Sequence, residues 1–210
     1  QRLHNEKQTL GLYLTGHPID RYLAELKQFT SCRIVELKPT RNQTMVVAGL
    51  IIAIRTMNTR RGDKMAFITI DDRSARIELA VFSEGYQRHR DLISKDRLIV
   101  VEGEVSVDDY SGGYKMSAKN IYDIDQAREH FAKRLLVKVD QQKAANGFVS
   151  DLQKTLQPYR EGFCQVVIDY EAAGARAQLP LGQEWTVHPT DELLHRLRDL
   201  AGPEQIDVIY

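Results

Sequence analysis

Between Val46 and Phe82 the chain reads VVAGLIIAIRTMNTRRGDKMAFITIDDRSARIELAVF, and this stretch restricts the possible folds more than any other. It holds three runs in which apolar side chains recur at every second position, the period of a half-buried strand. Arg60, Arg61, Gly62 and Asp63 separate the first run from the second, which starts at Lys64. A short polar segment containing Gly between two such runs is a hairpin signal. Asp71, Asp72, Arg73 and Ser74 break the pattern again before Ala75–Phe82 resumes it. The stretch therefore predicts three consecutive antiparallel strands.

Strict alternation assigns Ala48, Leu50, Ile52, Ile54, Ala66, Ile68, Ile70, Ile77, Leu79 and Val81 to a core face. The opposite face then carries Gly49, Ala53, Arg55, Met65, Phe67, Thr69, Arg76, Glu78, Ala80 and Phe82. Aromatic rings and guanidinium groups on an outward face suit a single-stranded nucleic acid, because bases stack on rings and phosphates seek cations. The same residues also fit an ordinary solvated sheet face, and both readings stay open.

The remaining strands follow in order. Ser83–Ser94 has Ser83 as expected N-cap and Glu84 in its first turn, and reads as a short helix. Arg97–Val107 is a fourth strand with Gly103 marking a kink or bulge, DDYSGG at 108–113 is a turn, and Tyr114–Ile124 is a fifth strand. Five strands with a helix between the third and fourth is the order of the OB-fold, a Greek-key barrel that often binds oligonucleotides. An SH3-like barrel lacks that helix.

At 210 residues the chain is long enough for two domains. Residues 1–43 are expected to form a helical segment and lead-in, 44–125 the OB barrel and 126–210 a small α+β domain. Helix formers fill residues 1–14 until Thr15, Gly16, His17 and Pro18 stop them; Ile19, Tyr22, Leu23 and Leu26 have the spacing of a second, amphipathic helix. A short exit helix is expected at Asp125–Lys133 and a linker within Asp140–Gly147. Beyond the barrel, strands are expected at Leu135–Val139, Phe163–Tyr170, Arg176–Leu181, Trp185–His188 and Ile206–Tyr210, with helices at Ala144–Gln157 and after Thr190. The latter places Leu193, Leu194, Leu197 and Leu200 on one stripe and ends at Gly202 and Pro203.

Basic and acidic residues balance at 29 each, so any attraction for nucleic acid must come from a local patch. Cys32 and Cys164 stand 132 positions apart, outside any metal-binding spacing, and read as reduced thiols. No apolar run reaches the ~18 residues of a membrane span, and the polar N-terminus is unlike a signal peptide. A soluble cytoplasmic protein with no membrane partner is expected. Gln1 falls inside what reads as a helix, as in a fragment of a longer polypeptide.

The six histidines never meet Cys or carboxylate at ligand spacing. Asp71 with Asp72, and Asp108 with Asp109, sit beside turn residues, where Asp caps backbone N–H groups. No phosphate-loop, nucleophile-elbow or zinc-protease motif occurs, so neither catalysis nor a cofactor is expected here. Binding is better supported. Arg55, Arg60, Arg61 and Lys64 lie on or beside the first hairpin, and Tyr110, Tyr114, Lys115 and Lys119 on or after the last one. In OB-folds these two loops flank the binding face. Phe67 and Phe82 are the candidate stacking residues and Arg76 a further cation, while Asp63, Glu78, Asp108 and Asp109 dilute the potential, which predicts weak, salt-sensitive binding.

LGLYLTGHPIDRYLAEL at 10–26, ITIDDRSARIELAVF at 68–82 and VVEGEVSVDDYSGGYKMSAKNIYDIDQAR at 100–128 resemble the C-terminal region of the bacterial DNA polymerase III α-subunit family. The resemblance continues through RLLVKVD, the Leu-rich helix and the final strand. It implies a noncatalytic part of a DNA-directed DNA polymerase whose catalytic and PHP domains lie upstream. It further implies an OB domain contacting single-stranded template DNA and a last domain binding the τ subunit of the clamp loader, among other holoenzyme subunits. Ile206, Val208, Ile209 and Tyr210 are the expected τ-docking residues if exposed; they also fit a buried edge strand. Two other readings of the barrel are a protein-interaction scaffold and the anticodon-binding module of an aminoacyl-tRNA synthetase, although no synthetase motifs follow residue 125.

Overall fold

The structure, a computed structural model, describes residues 18–39, 43–109, 112–144 and 147–210. The helix expected over 1–14, its stop at Thr15, Gly16 and His17, and Tyr110 lie outside the described residues. The chain divides into two compact units, Gln1–Ile124 and Asp125–Tyr210. No helix among the described residues is long and apolar enough to cross a membrane.

In the first unit, β1 (Thr44–Asn58), β2 (Lys64–Asp71), β3 (Arg76–Val81), β4 (Leu98–Val107) and β5 (Tyr114–Tyr122) close into a barrel in the order β1-β2-β3-β5-β4. All neighbours are antiparallel except β3 and β5. Closure depends on the length of β1: Thr44–Leu50 pair with β4 and Leu50–Asn58 with β2. This is the expected five-stranded OB-fold.

The core face of β2 and β3 is as the alternation predicts, with Ala66, Ile68, Ile70, Ile77, Leu79 and Val81 buried in the barrel. Each fully buried Val, Leu or Ile side chain among them is worth about 1.5–3 kcal/mol, and a one-residue slip would turn all of them outward. The first half of β1 departs from the prediction. Val47 and Ile51 fill the barrel, not Ala48 and Leu50, which are buried on the other side of the strand. Ala48 there lines a small cleft with Ile19, Leu23 and Leu26. A register shift between Ile51 and Ala53 inserts Ile52 as an extra residue. Beyond it the expected parity returns, with Ile54 opposite Ile68 and Arg55 opposite Phe67.

The bulge anticipated at Gly103 is present. Glu102 pairs with Asn120 and Gly103 with Ala118, leaving Lys119 as the extra residue on β5. A Cβ on Gly103 would lie 2.2 Å from the Ser117 carbonyl oxygen, so only Gly permits this approach.

The helical parts are shorter than their patterns suggest. Ile19–Leu26 forms a 3-10 turn, Asp20–Tyr22, and a four-residue helix, α1 (Leu23–Leu26). In the lead-in, Ile34–Glu36 makes a further 3-10 turn that buries Ile34. After β3, α2 (Ser83–His89) begins at Ser83 with extended Phe82 as its flanking residue, and no side chain caps it. Ser83 is thus the first helical residue, not the N-cap.

In the second unit a sheet of order β8-β7-β6-β9 is formed by β6 (Arg134–Asp140), β7 (Arg160–Ala172), β8 (Ala175–Pro180) and β9 (Ile206–Ile209). The helices are α3 (Ile124–Phe131), α4 (Gln141–Ala144), α5 (Phe148–Leu156) and α6 (Asp191–Ala201). β6 and β7 are parallel, joined through α5 as a parallel pair requires. Leu135, Val137, Val139, Cys164 and Val166 of the sheet pack with Phe148, Leu152 and Leu156 of α5 and Leu193, Leu194 and Leu197 of α6. The Thr190 hydroxyl accepts a hydrogen bond from the Leu193 N–H and so caps α6, the helix expected after Thr190. The strand expected at Trp185–His188 is absent; Gln183–Trp185 is a 3-10 turn, and Val187 makes only isolated bridges to Arg160 and Cys164.

Candidate nucleic-acid interface

The β1–β2 hairpin closes through five residues. The Thr59 N–H donates to the Asp63 carbonyl (2.7 Å) and the Gly62 N–H to the Thr59 carbonyl (2.9 Å). Gly62 has φ +87°, a conformation suited to Gly. Arg60, Arg61 and Lys64 are exposed around this tip, and none has an ion-pair partner among the described residues.

Behind the tip, the outward face of β1, β2 and β3 is a set of rows fixed by register. Met57 faces Met65; Arg55 faces Phe67, which faces Ala80; Ala53 faces Thr69, which faces Glu78. The parallel β3–β5 pairing extends the last two rows to Ser117 and Lys115. The Arg55 guanidinium lies 4.7 Å from the centre of the Phe67 ring and 3.9 Å from the Glu78 carboxylate. Phe82 follows Val81, which pairs with Ala66, so it stands at the hairpin end of the face, with 57% of its surface exposed.

The expected site residues therefore separate. Arg55, Arg60, Arg61, Lys64, Phe67 and Phe82 share the hairpin end. Arg76 lies at the other end of β2, about 23 Å away at ~3.3 Å per residue, and its Nε donates to Asp71 at 2.8 Å. Lys115 is on the same face beyond Glu78, with its ammonium 3.4 Å from Asp108. Tyr114 has the opposite parity and stands beside Val107 at the barrel rim. Lys119, turned out by the bulge, pairs with Glu104 at 2.6 Å on the β4–β5 surface. Met57 is a residue the sequence reading passed over. It is exposed opposite Met65, and two flexible thioethers beside Phe67 add apolar contact that adapts to a ring. Its parity with Arg55 was the available signal.

The carboxylate pair at the β2–β3 turn holds backbone. Asp72 accepts hydrogen bonds from the N–H groups of Ile34 (2.9 Å), Ser74 (2.8 Å) and Ala75 (3.1 Å) and from the Ser74 hydroxyl. Burial alone would raise its pKa, but these bonds outweigh that and hold it below the ordinary carboxylate range. Asp71 accepts from the Arg73 N–H and from Arg76. In the second unit, burial pushes the Cys164 thiol up to about 12, which makes it unreactive near neutral pH.

Of the residues expected to dock a protein partner, Ile206, Val208 and Ile209 lie on β9, and Tyr210 follows it half-buried. Ile206 is buried opposite Val137 and Val208 packs half-buried opposite Leu135, both against the core. Ile209, opposite Arg134, is 41% exposed. Among these residues Ile209 therefore presents the most surface to a partner, on a strand at the edge of the sheet.

Residues 45–124 match the family model described as an OB-fold nucleic acid binding domain, and residues 151–202 match the one described as DNA polymerase III subunit alpha, C-terminal domain. The chain is 46% identical over 208 residues to the DNA polymerase III subunit alpha of Vibrio cholerae, covering 99% of this chain and 18% of that protein. It is 45% identical over 210 residues to that of Pseudomonas aeruginosa, covering 100% of this chain and again 18% of that protein. The chain thus spans less than a fifth of the length of the curated relatives it matches. Among solved structures, a domain of replication protein A from Methanococcus maripaludis is similar, with a TM-score of 0.37 and 19% identity over 44% of this chain and 93% of that one. The single-stranded-DNA-binding (SSB) domain of a Synechococcus protein aligns with a TM-score of 0.35 and 10% identity over 40% of this chain and 99% of that one.

Proposed function

We propose, since the chain belongs to the bacterial DNA polymerase III α-subunit family as its C-terminal region, that its role is noncatalytic: the barrel guides single-stranded template DNA and the second unit docks the τ subunit of the clamp loader. The observation that carries the DNA reading is the group Arg60, Arg61 and Lys64. These exposed cations have no ion-pair partner among the described residues and stand at the end of a face bearing Phe67 and Phe82. Phosphates meet the hairpin while bases reach rings and thioethers behind it, each stacked base worth about 1–3 kcal/mol. Such a contact is weak alone. It becomes effective when a polymerase body holds the duplex nearby and raises the local strand concentration.

Labelled oligo-dT is titrated at low salt against the 210-residue chain and its Arg60→Ala/Arg61→Ala/Lys64→Ala variant. A loss of about tenfold or more is expected; equal affinities would turn the barrel into a protein-interaction scaffold. For the second unit, the relatives' name supports the assembly and Ile209 on the edge strand β9 offers the surface. Ile209→Asp, which changes an exposed side chain, should weaken τ binding about tenfold in a surface-immobilised assay. Unchanged affinity would place docking elsewhere.

A further inference from the structure

Glu78 is the acidic side chain in the rows of the proposed DNA face, and its position there is specific. Arg55 starts on β1, crosses above the Phe67 ring on β2 and reaches the Glu78 carboxylate on β3 at 3.9 Å. The residue directly across from Phe67 on β3 is Ala80, whose small side chain leaves the path open. The guanidinium thus rests between a ring and a carboxylate, covering the surface a base needs and already neutralised by an acid. On the other side of Glu78 lies Lys115, its register partner on β5.

We propose that Glu78 is a positioning residue that latches Arg55 over Phe67, so that a DNA strand must displace the latch before a base stacks on the ring and Arg55 turns to a phosphate. The proposal rests on the reading of the barrel as a single-strand-binding face. The pair is suited to the exchange. Arg55 and Glu78 side chains are 68% and 47% exposed, and an exposed pair at this separation opens at little cost. A strand supplies both replacements at once, a base for the guanidinium on the ring and a phosphate for Glu78 beside the guanidinium. The latch favours release over tight binding and adds no base preference, since Ala53, Thr69 and Ala80 around the ring leave its face to stack any base.

Glu78→Gln keeps the side-chain shape and removes the charge. Titrated with oligo-dT, this variant should bind about three- to fivefold more tightly than the unaltered chain. The slope of log affinity against log salt should stay the same, because Arg55 meets one phosphate in both proteins once the latch is open. In an Arg55→Ala background the gain should vanish, and Glu78→Asp should restore part of the latch. An equal gain with and without Arg55 would overturn the proposal, since Glu78 would then act only as a repelling charge; no gain at all would also overturn it. A readout without DNA separates this from the hairpin reading. Ring current from Phe67 should move the Arg55 δ-methylene proton resonances upfield, and Glu78→Gln should return them toward free arginine values. Resonances that stay in place sink the latch even if the hairpin variant loses DNA binding. Resonances that move show the latch in the free protein even if that variant binds as before, and the affinity gain of Glu78→Gln then decides its role in binding.

Discussion

Asp72, 6% exposed, shows how one carboxylate at a turn fixes two segments. Its Oδ1 closes the β2–β3 turn on Ser74 and Ala75, while its Oδ2 accepts the Ile34 N–H from the lead-in 38 residues earlier. The folded-state pKa is depressed, so the folded protein holds this proton less readily than the unfolded chain does. The stabilisation is fully present above the ordinary aspartate value of about 3.9 and is lost as pH falls through the lower folded-state value. Asp72→Asn removes the charge and keeps one acceptor oxygen. At pH 7 it should lower unfolding free energy by about 1.5–3 kcal/mol, the range for hydrogen bonds to a charged acceptor. The difference from the unaltered chain should shrink progressively below about pH 4. Urea unfolding from pH 7 to pH 3 checks both, and a constant difference across that range would show that the charge has no part in it.

At the scale of elements, the bulges in β1 and β5 decide which side chains reach the proposed face. Each inserts one residue, Ile52 or Lys119, and reverses parity beyond it. In β5 the bulge depends on Gly103 across from it, where a Cβ would meet the Ser117 carbonyl and Met116. Gly103→Ala should therefore destabilise the barrel by about 1–3 kcal/mol through overpacking, seen as a lower melting temperature; an unchanged one would mean that β5 shifts freely. These bulges also explain what could be read in advance. Strand order, the polar hairpin and the helix after Thr190 follow from local composition and period, so they were legible. The β5 bulge had a marker in Gly103. The β1 bulge had none, because Ile51, Ile52 and Ala53 are all apolar and an inserted apolar residue leaves alternation looking intact. For the same reason Val47 and Ala48 exchange their expected faces while Arg55 and Phe67 keep theirs. Burial on both sides of the first half of β1 removed the polar contrast that would have told inside from outside.

Over the whole molecule, acidic and basic residues cancel at 29 each, so binding of a polyanion must be argued from the cations left without carboxylates. Arg76, Lys115 and Lys119 engage Asp71, Asp108 and Glu104, and Arg55 leans toward Glu78. This pairing could not be read from residue types, because a cation's partner is chosen by register across strands that lie far apart in the chain. On the proposed face it leaves Arg60, Arg61 and Lys64 as the cations with no ion-pair partner among the described residues. Three hairpin contacts and the one Arg55 makes on leaving Glu78 predict a slope of about −3 for log affinity against log salt, at ~0.7 per contact on a single strand. A slope near −5 would require Arg76, Lys115 and Lys119 to leave their carboxylates and join the interface as well. A slope near zero would remove phosphate from the account and leave stacking alone. The triple alanine variant should bring the slope to about −0.7, the Arg55 contact, while retaining whatever affinity Phe67 and Phe82 supply. Salt titration of both proteins with the same oligo-dT thus separates the charge contribution of the hairpin from the ring contribution of the face behind it.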